Sequence, residues 1–110
     1  MTGEQIKELS EGSFHKEIEK GLTLVDFFAD WCAPCHRLTP ILERIAKELI
    51  GSLTIGKLDI ENAQKIASSL QVSSFPTLIL FENGKELGRM VGLRDQATVM
   101  DFIRSRGSHH

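Results

Sequence analysis

A chain of 110 residues, 41% hydrophobic and 25% charged, has the composition of one ordinary globular domain. Its formal net charge of -2, with Lys and Arg scattered among acidic residues, excludes the clustered basic surface that binding a nucleic-acid backbone requires. No stretch reaches bilayer-spanning length and residues 1–14 lack a signal-peptide core, so no membrane association and a cytoplasmic location are expected.

Gln5 to Leu9 reads as an edge strand and Ser13 to Lys20 as a short helix. Leu22 to Ala29 is a run of Leu, Val and Phe broken only by Thr23 and Asp26, the pattern of a strand buried on both faces and central in its sheet. From Pro34 to Ile50 the apolar residues Leu38, Ile41, Leu42, Ile45 and Leu49 fall at helical spacing, and Pro40 is expected to kink this helix. Leu53 to Ile60 is a further strand, after which Asn62 is placed to cap a short helix carrying Ile66, Ala67 and Leu70. Thr77 to Phe81 and Glu86 to Val91 flank Asn83-Gly84, a strong hairpin signal. Asp95 to Arg104 closes the pattern as a helix with Val99, Phe102 and Ile103 turned to the core. The order predicts an α/β fold with a mixed sheet, a single domain over residues 1–106. Gly107-Ser108-His109-His110 reads as the start of a purification tag and is set aside.

Both cysteines lie in one tetrapeptide, Cys32-Ala33-Pro34-Cys35, where the central strand gives way to the long helix. In a reducing compartment such a pair points to redox chemistry or metal binding rather than to a structural disulfide. Cys32 sits at the helix N-terminus, where unpaired N–H groups and the helix dipole favour an anion, so its thiol pKa is expected to fall and its thiolate to attack. Pro34 is tolerated there because first-turn amides have no helical partner. Cys35 lies on the same face, about 5–6 Å away between Cα atoms, a separation a disulfide tolerates. Cys32 is expected to be the exposed member of the pair. A half zinc site would need two more ligands, which neither His15 nor His36 supplies at ligand spacing. Cys32 to His36 also fits the C-x-x-C-H signature of c-type haem attachment, with Met90 or Met100 as a second axial ligand, but no haem pocket is evident.

The segment Val25-Asp26-Phe27-Phe28-Ala29-Asp30-Trp31-Cys32-Ala33-Pro34-Cys35 resembles the active-site segment of the thioredoxin family. The similarity continues through Pro40, Lys57-Leu58-Asp59, Phe75-Pro76-Thr77, Asn83-Gly84 and Val91-Gly92. Several motifs in register are far more specific than one C-x-x-C. The resemblance implies the thioredoxin fold, a central five-stranded mixed sheet flanked by four helices. It also implies a protein-disulfide reductase without cofactor or metal, recycled by a flavoprotein thioredoxin reductase, with disulfide-containing proteins as substrates, and a monomer is expected. The chain departs from the commonest family pattern at Ala33, where Gly is usual, and at His36, where Lys is usual.

Asp26 is the one charge in an otherwise apolar strand, so burial should raise its pKa, and Lys57 on the neighbouring strand is a plausible partner. The resemblance gives Asp26 the task of deprotonating Cys35. Trp31, Ala33, Pro34, Phe75, Gly92 and Leu93 are candidates for an apolar collar that receives an extended substrate segment. Pro76 is implied to follow a cis bond and to face the dithiol, so that the Phe75 backbone offers hydrogen bonds to substrate. Asp30 and Asp59 read as solvated or capping residues.

Overall fold

Strand β2 (Leu22–Phe28) forms where the sequence is most continuously apolar, and it is central: a computed structural model, describing residues 6–107, pairs it with β3 (Thr54–Asp59) on one side and β4 (Thr77–Glu82) on the other. β1 (Ile6–Leu9) runs parallel to β3, and β3 parallel to β2. β4 and β5 (Lys85–Val91) are antiparallel, giving one mixed sheet in the order β1-β3-β2-β4-β5. Gln5 of the expected first strand lies outside the described residues.

Four helices cover the sheet: α1 (Phe14–Ile18), α2 (Ala33–Glu48), α3 (Gln64–Ser69) and α4 (Gln96–Arg106). Alternation along the strands sorts their side chains into two layers. Leu24, Leu78 and Leu80 pack with Leu38, Leu42, Ile45, Val99 and Ile103 of α2 and α4. Val25, Phe27, Ile79 and Phe81 pack with Phe14, Ile18, Ile66 and Ala67 of α1 and α3. Asp26 shares the parity of Leu24, so it belongs to the face that α2 covers.

Local signals set most boundaries. In the β4–β5 turn Asn83 (φ 52°) and Gly84 (φ 86°) are both left-handed, as a two-residue hairpin turn requires. The Asn83 carboxamide accepts the Gly21 N–H at 2.9 Å, and Gly84 N–H donates to the Ile18 carbonyl at 2.8 Å, tying the hairpin to the start of β2. α1 is shorter than its periodicity suggests, because the chain must turn through Gly21 (φ 69°) into β2. α2 continues through Pro40, which removes one backbone hydrogen bond without ending the helix.

One sequence expectation needs correction. Asn62 does not cap α3: it lies in a 3-10 turn (Ile60–Asn62) capped by Asp59, which accepts the Glu61 N–H at 3.0 Å. The N-cap position of α3 is Ala63, and its first-turn amides are met by Glu11, whose Oε2 accepts from Lys65 N–H (2.8 Å) and Ile66 N–H (3.2 Å). Gly107, set aside with the tail, is buried and closes α4, its N–H donating to the Ile103 carbonyl at 2.8 Å. A Cβ there would lie 2.9 Å from that carbonyl and 3.1 Å from Leu22, so glycine fits where another residue would not.

Candidate active site

The site forms where β2 ends and α2 begins. Cys32 is the N-cap of α2, with extended backbone (φ -91°, ψ 109°), and its Sγ accepts the Cys35 N–H at 3.2 Å. That sulfur therefore takes the place a cap oxygen usually holds, and negative charge on it would be stabilised by the same amide and by the helix dipole. Cys32 and Cys35 form a disulfide with Cα atoms 5.3 Å apart, within the separation expected from their spacing. Both are buried, Cys32 to 5% and Cys35 to 2% exposure, so the asymmetry between them is not one of exposure as the sequence suggested. It lies in position: Cys32 holds the cap, and Cys35 is inside the first turn.

Ala33 and Pro34 occupy the first turn of α2. Residue 33 is not left-handed, so Ala replaces the family's usual Gly without backbone conflict. His36 is exposed, and its Nε2 donates to the Asp30 carbonyl at 2.6 Å, closing the loop that carries Trp31 and the dithiol. The rest of the site comes from the β3–β4 half of the chain. Phe75 presents its carbonyl oxygen 3.7 Å from Cys32 Sγ, packs beside both cysteines, and precedes a cis bond to Pro76. Pro76 in turn accepts the Gly92 N–H at 2.8 Å, and Gly92 is left-handed (φ 97°), which brings the end of β5 to the site.

Trp31 is 68% exposed and meets Phe75 edge-on, with ring centroids 6.1 Å apart. Its indole N–H donates to Glu61 Oε2 at 3.0 Å. Sequence reasoning missed Glu61; the only signal was a carboxylate shortly after a strand that parallels β2, which is too common to single out. Leu93 is 36% exposed and lines a groove with Pro40 and Ile41.

On β2, six residues before Cys32, Asp26 is fully buried and neither carboxylate oxygen has a hydrogen-bond partner. Loss of solvent pushes its pKa up to about 7, and the positive charge of Lys57 opposes that rise. Lys57 is paired with Asp26 in the parallel register of β2 and β3, yet no ion pair joins them among the described residues. Its ammonium instead sits 4.8 Å above the Phe28 ring. Asp59 acts as a cap, as expected, and Asp30 is exposed.

A C-x-x-C disulfide at the first turn of a helix leaving the central strand of such a sheet defines a thiol–disulfide oxidoreductase. The chain belongs to the thioredoxin family, whose model matches residues 5–105. It is 50% identical over 98 residues to a thioredoxin of Chlamydia pneumoniae, covering 89% of this chain and 95% of the relative. A thioredoxin of Rickettsia felis is 40% identical over 97 residues, covering 86% and 92%. One of Staphylococcus saprophyticus is 35% identical over 98 residues, covering 89% and 94%. Among the described residues no helix is long and apolar enough to cross a membrane.

Proposed function

We propose that Cys32 is the attacking nucleophile and Cys35 the resolving thiol of a general protein-disulfide reductase. In the reduced protein the Cys32 thiolate attacks one sulfur of a substrate disulfide, forming a mixed disulfide and releasing the other substrate sulfur as a thiol. Cys35 gives its proton to Asp26 and attacks Cys32 Sγ, which closes the Cys32–Cys35 bond and frees the second substrate thiol. Two electrons pass from the dithiol to the substrate. A flavoprotein thioredoxin reductase returns them.

The observation that carries this reading is the Cys32 sulfur in the cap position of α2, accepting the Cys35 amide. The buried Asp26 supports the proton transfer, since a carboxyl with a pKa of about 7 can both take and return a proton near neutrality. Lys57 sets how far that pKa rises. Trp31, Ala33, Pro34, Phe75, Pro76, Gly92 and Leu93 receive the substrate, with the Phe75 main chain beside Cys32 offering its polar groups to an extended segment. The enzyme works in the cytoplasm as a single domain and as a monomer.

Kinetics of the cysteine variants test the assignment. Cys32→Ser is expected to lose reduction of a protein disulfide with dithiothreitol as electron source, while Cys35→Ser accumulates the mixed disulfide, seen as a mass increase. Full activity in Cys32→Ser overturns the assignment.

A further inference from the structure

Residues 37, 40, 41 and 44 form one stripe along α2, since side chains three and four apart share a helix face. Opposite that stripe runs the loop between β5 and α4, and the two enclose an open groove of ≈ 460 Å³. Its floor is apolar, made by Pro40, Ile41 and Leu93. Its rim carries three guanidinium groups, Arg37, Arg44 and Arg94.

These arginines have no carboxylate partner. The ion pairs among the described residues are Lys7–Glu17 and Arg89–Glu86, both elsewhere. Asp95, the one carboxylate lining the groove, is the N-cap of α4 and accepts the Thr98 N–H at 2.9 Å. Glu48 is reached only through Gln96, whose Nε2 donates to it at 3.0 Å. Two of the guanidinium groups are already held in place by neutral acceptors: Arg94 donates to the Val91 carbonyl at 3.0 Å and Arg44 to Gln96 Oε1 at 2.9 Å. A cluster of three positive charges, two of them anchored, therefore stands on a chain whose net charge is -2.

The groove borders segments that reach the dithiol, since the Phe75 carbonyl next to Pro76 lies 3.7 Å from Cys32 Sγ. Arg37 lies two residues beyond Cys35, and Leu93 follows Gly92, which is bonded to Pro76. From this charge and shape we infer that the groove selects among substrates: it takes an extended acidic segment flanking the target disulfide, an apolar side chain resting on Pro40, Ile41 and Leu93 while Asp or Glu residues meet the arginines. This rests on the reductase reading above and adds a substrate class to it. Because the charges are exposed, their effect falls mainly on encounter rate and weakens with salt.

Two disulfide-bridged peptides, identical except for a tail of Leu with three acidic residues or Leu with three lysines, test the inference. The quantity read is the ratio of their kcat/KM values, with dithiothreitol as reductant. At low salt the acidic peptide is expected to be reduced about tenfold faster, and the ratio to fall toward one at high salt. The triple variant Arg37→Glu, Arg44→Glu, Arg94→Glu is expected to invert the ratio. Equal rates in the parent protein, or a ratio that survives in the triple variant, overturn the inference. Failure to reduce either peptide would instead overturn the reductase reading, and this inference with it.

Discussion

The two faces of the sheet are built from the same strands to different ends. On the α1/α3 face, β2 presents Val25 and Phe27 into a layer of apolar side chains, where Phe14 meets Phe27 and Phe81 edge-on at 6.1 and 5.6 Å. On the α2/α4 face, the same strand places Asp26 in the core with both oxygens unpartnered. Both faces hold apolar cores, but only the α2/α4 face also buries a carboxyl group, at a cost in stability wherever that group must ionise. The electrostatic cost in β2 is thus confined to one side chain, with apolar packing on either side of it along the strand.

The greatest loss of stability is expected from the α1/α3 layer. Phe27→Ala is expected to destabilise the protein by about 3–5 kcal/mol, through lost burial and the cavity left behind. Urea unfolding measures this, and the rate of Cys32 alkylation in the folded variant should stay near that of the parent. A variant with parental stability would show that Phe27 does not anchor its layer.

A smaller and pH-dependent effect belongs to Asp26. Its carboxyl is held at about 7 in the folded protein, against 3.8 as the ordinary value. Between those values the unfolded chain gives up the proton and the folded chain keeps it. The stability that goes with the neutral carboxyl is therefore full below pH 4 and is lost as pH rises toward 7 and beyond. Between pH 5 and pH 8 the loss comes to about 2–3 kcal/mol. Asp26→Asn is expected to flatten that slope in urea midpoints measured across the range. The same variant should slow release of the mixed disulfide more than its formation. Equal slowing of both steps would make Asp26 structural only.

A smaller loss still is expected at the start of α3. Glu11→Ala removes the carboxylate that meets the first amides of α3, and is expected to cost about 1 kcal/mol. Disulfide reduction by the folded variant should be unaltered, since α3 packs on the face away from Asp26. A larger loss of activity than of stability would show that the two layers are coupled.

How much of this was legible in the sequence follows from how local each determinant is. The apolar run of β2, the periodicity of α2, the Asn83-Gly84 turn and the last helix are each written within a few consecutive residues, and all appear close to where expected. The dithiol and Asp26 were readable for the same reason, being six residues apart on one strand-to-helix connection. Glu11 reaches amides 54 and 55 positions away, and Glu61 reaches Trp31 across 30, so neither leaves a local pattern. Asn62 misled because a capping residue before an apolar run is a fair signal, but the chain first makes a 3-10 turn under Asp59. The arginine-rimmed groove joins a helix to a loop some fifty residues on, and scattered basic residues gave no hint that three of them converge.

Trp31 makes this protein its own reporter. It is the only tryptophan and the chain has no tyrosine, so ultraviolet emission comes from one indole. That indole adjoins Cys32, stacks edge-on against Phe75 and is tethered to Glu61. Its emission is therefore expected to change when the disulfide is reduced, and equal spectra in both redox states would place Trp31 away from the pair. The state of the dithiol is then open to being followed by light in one unlabelled sample.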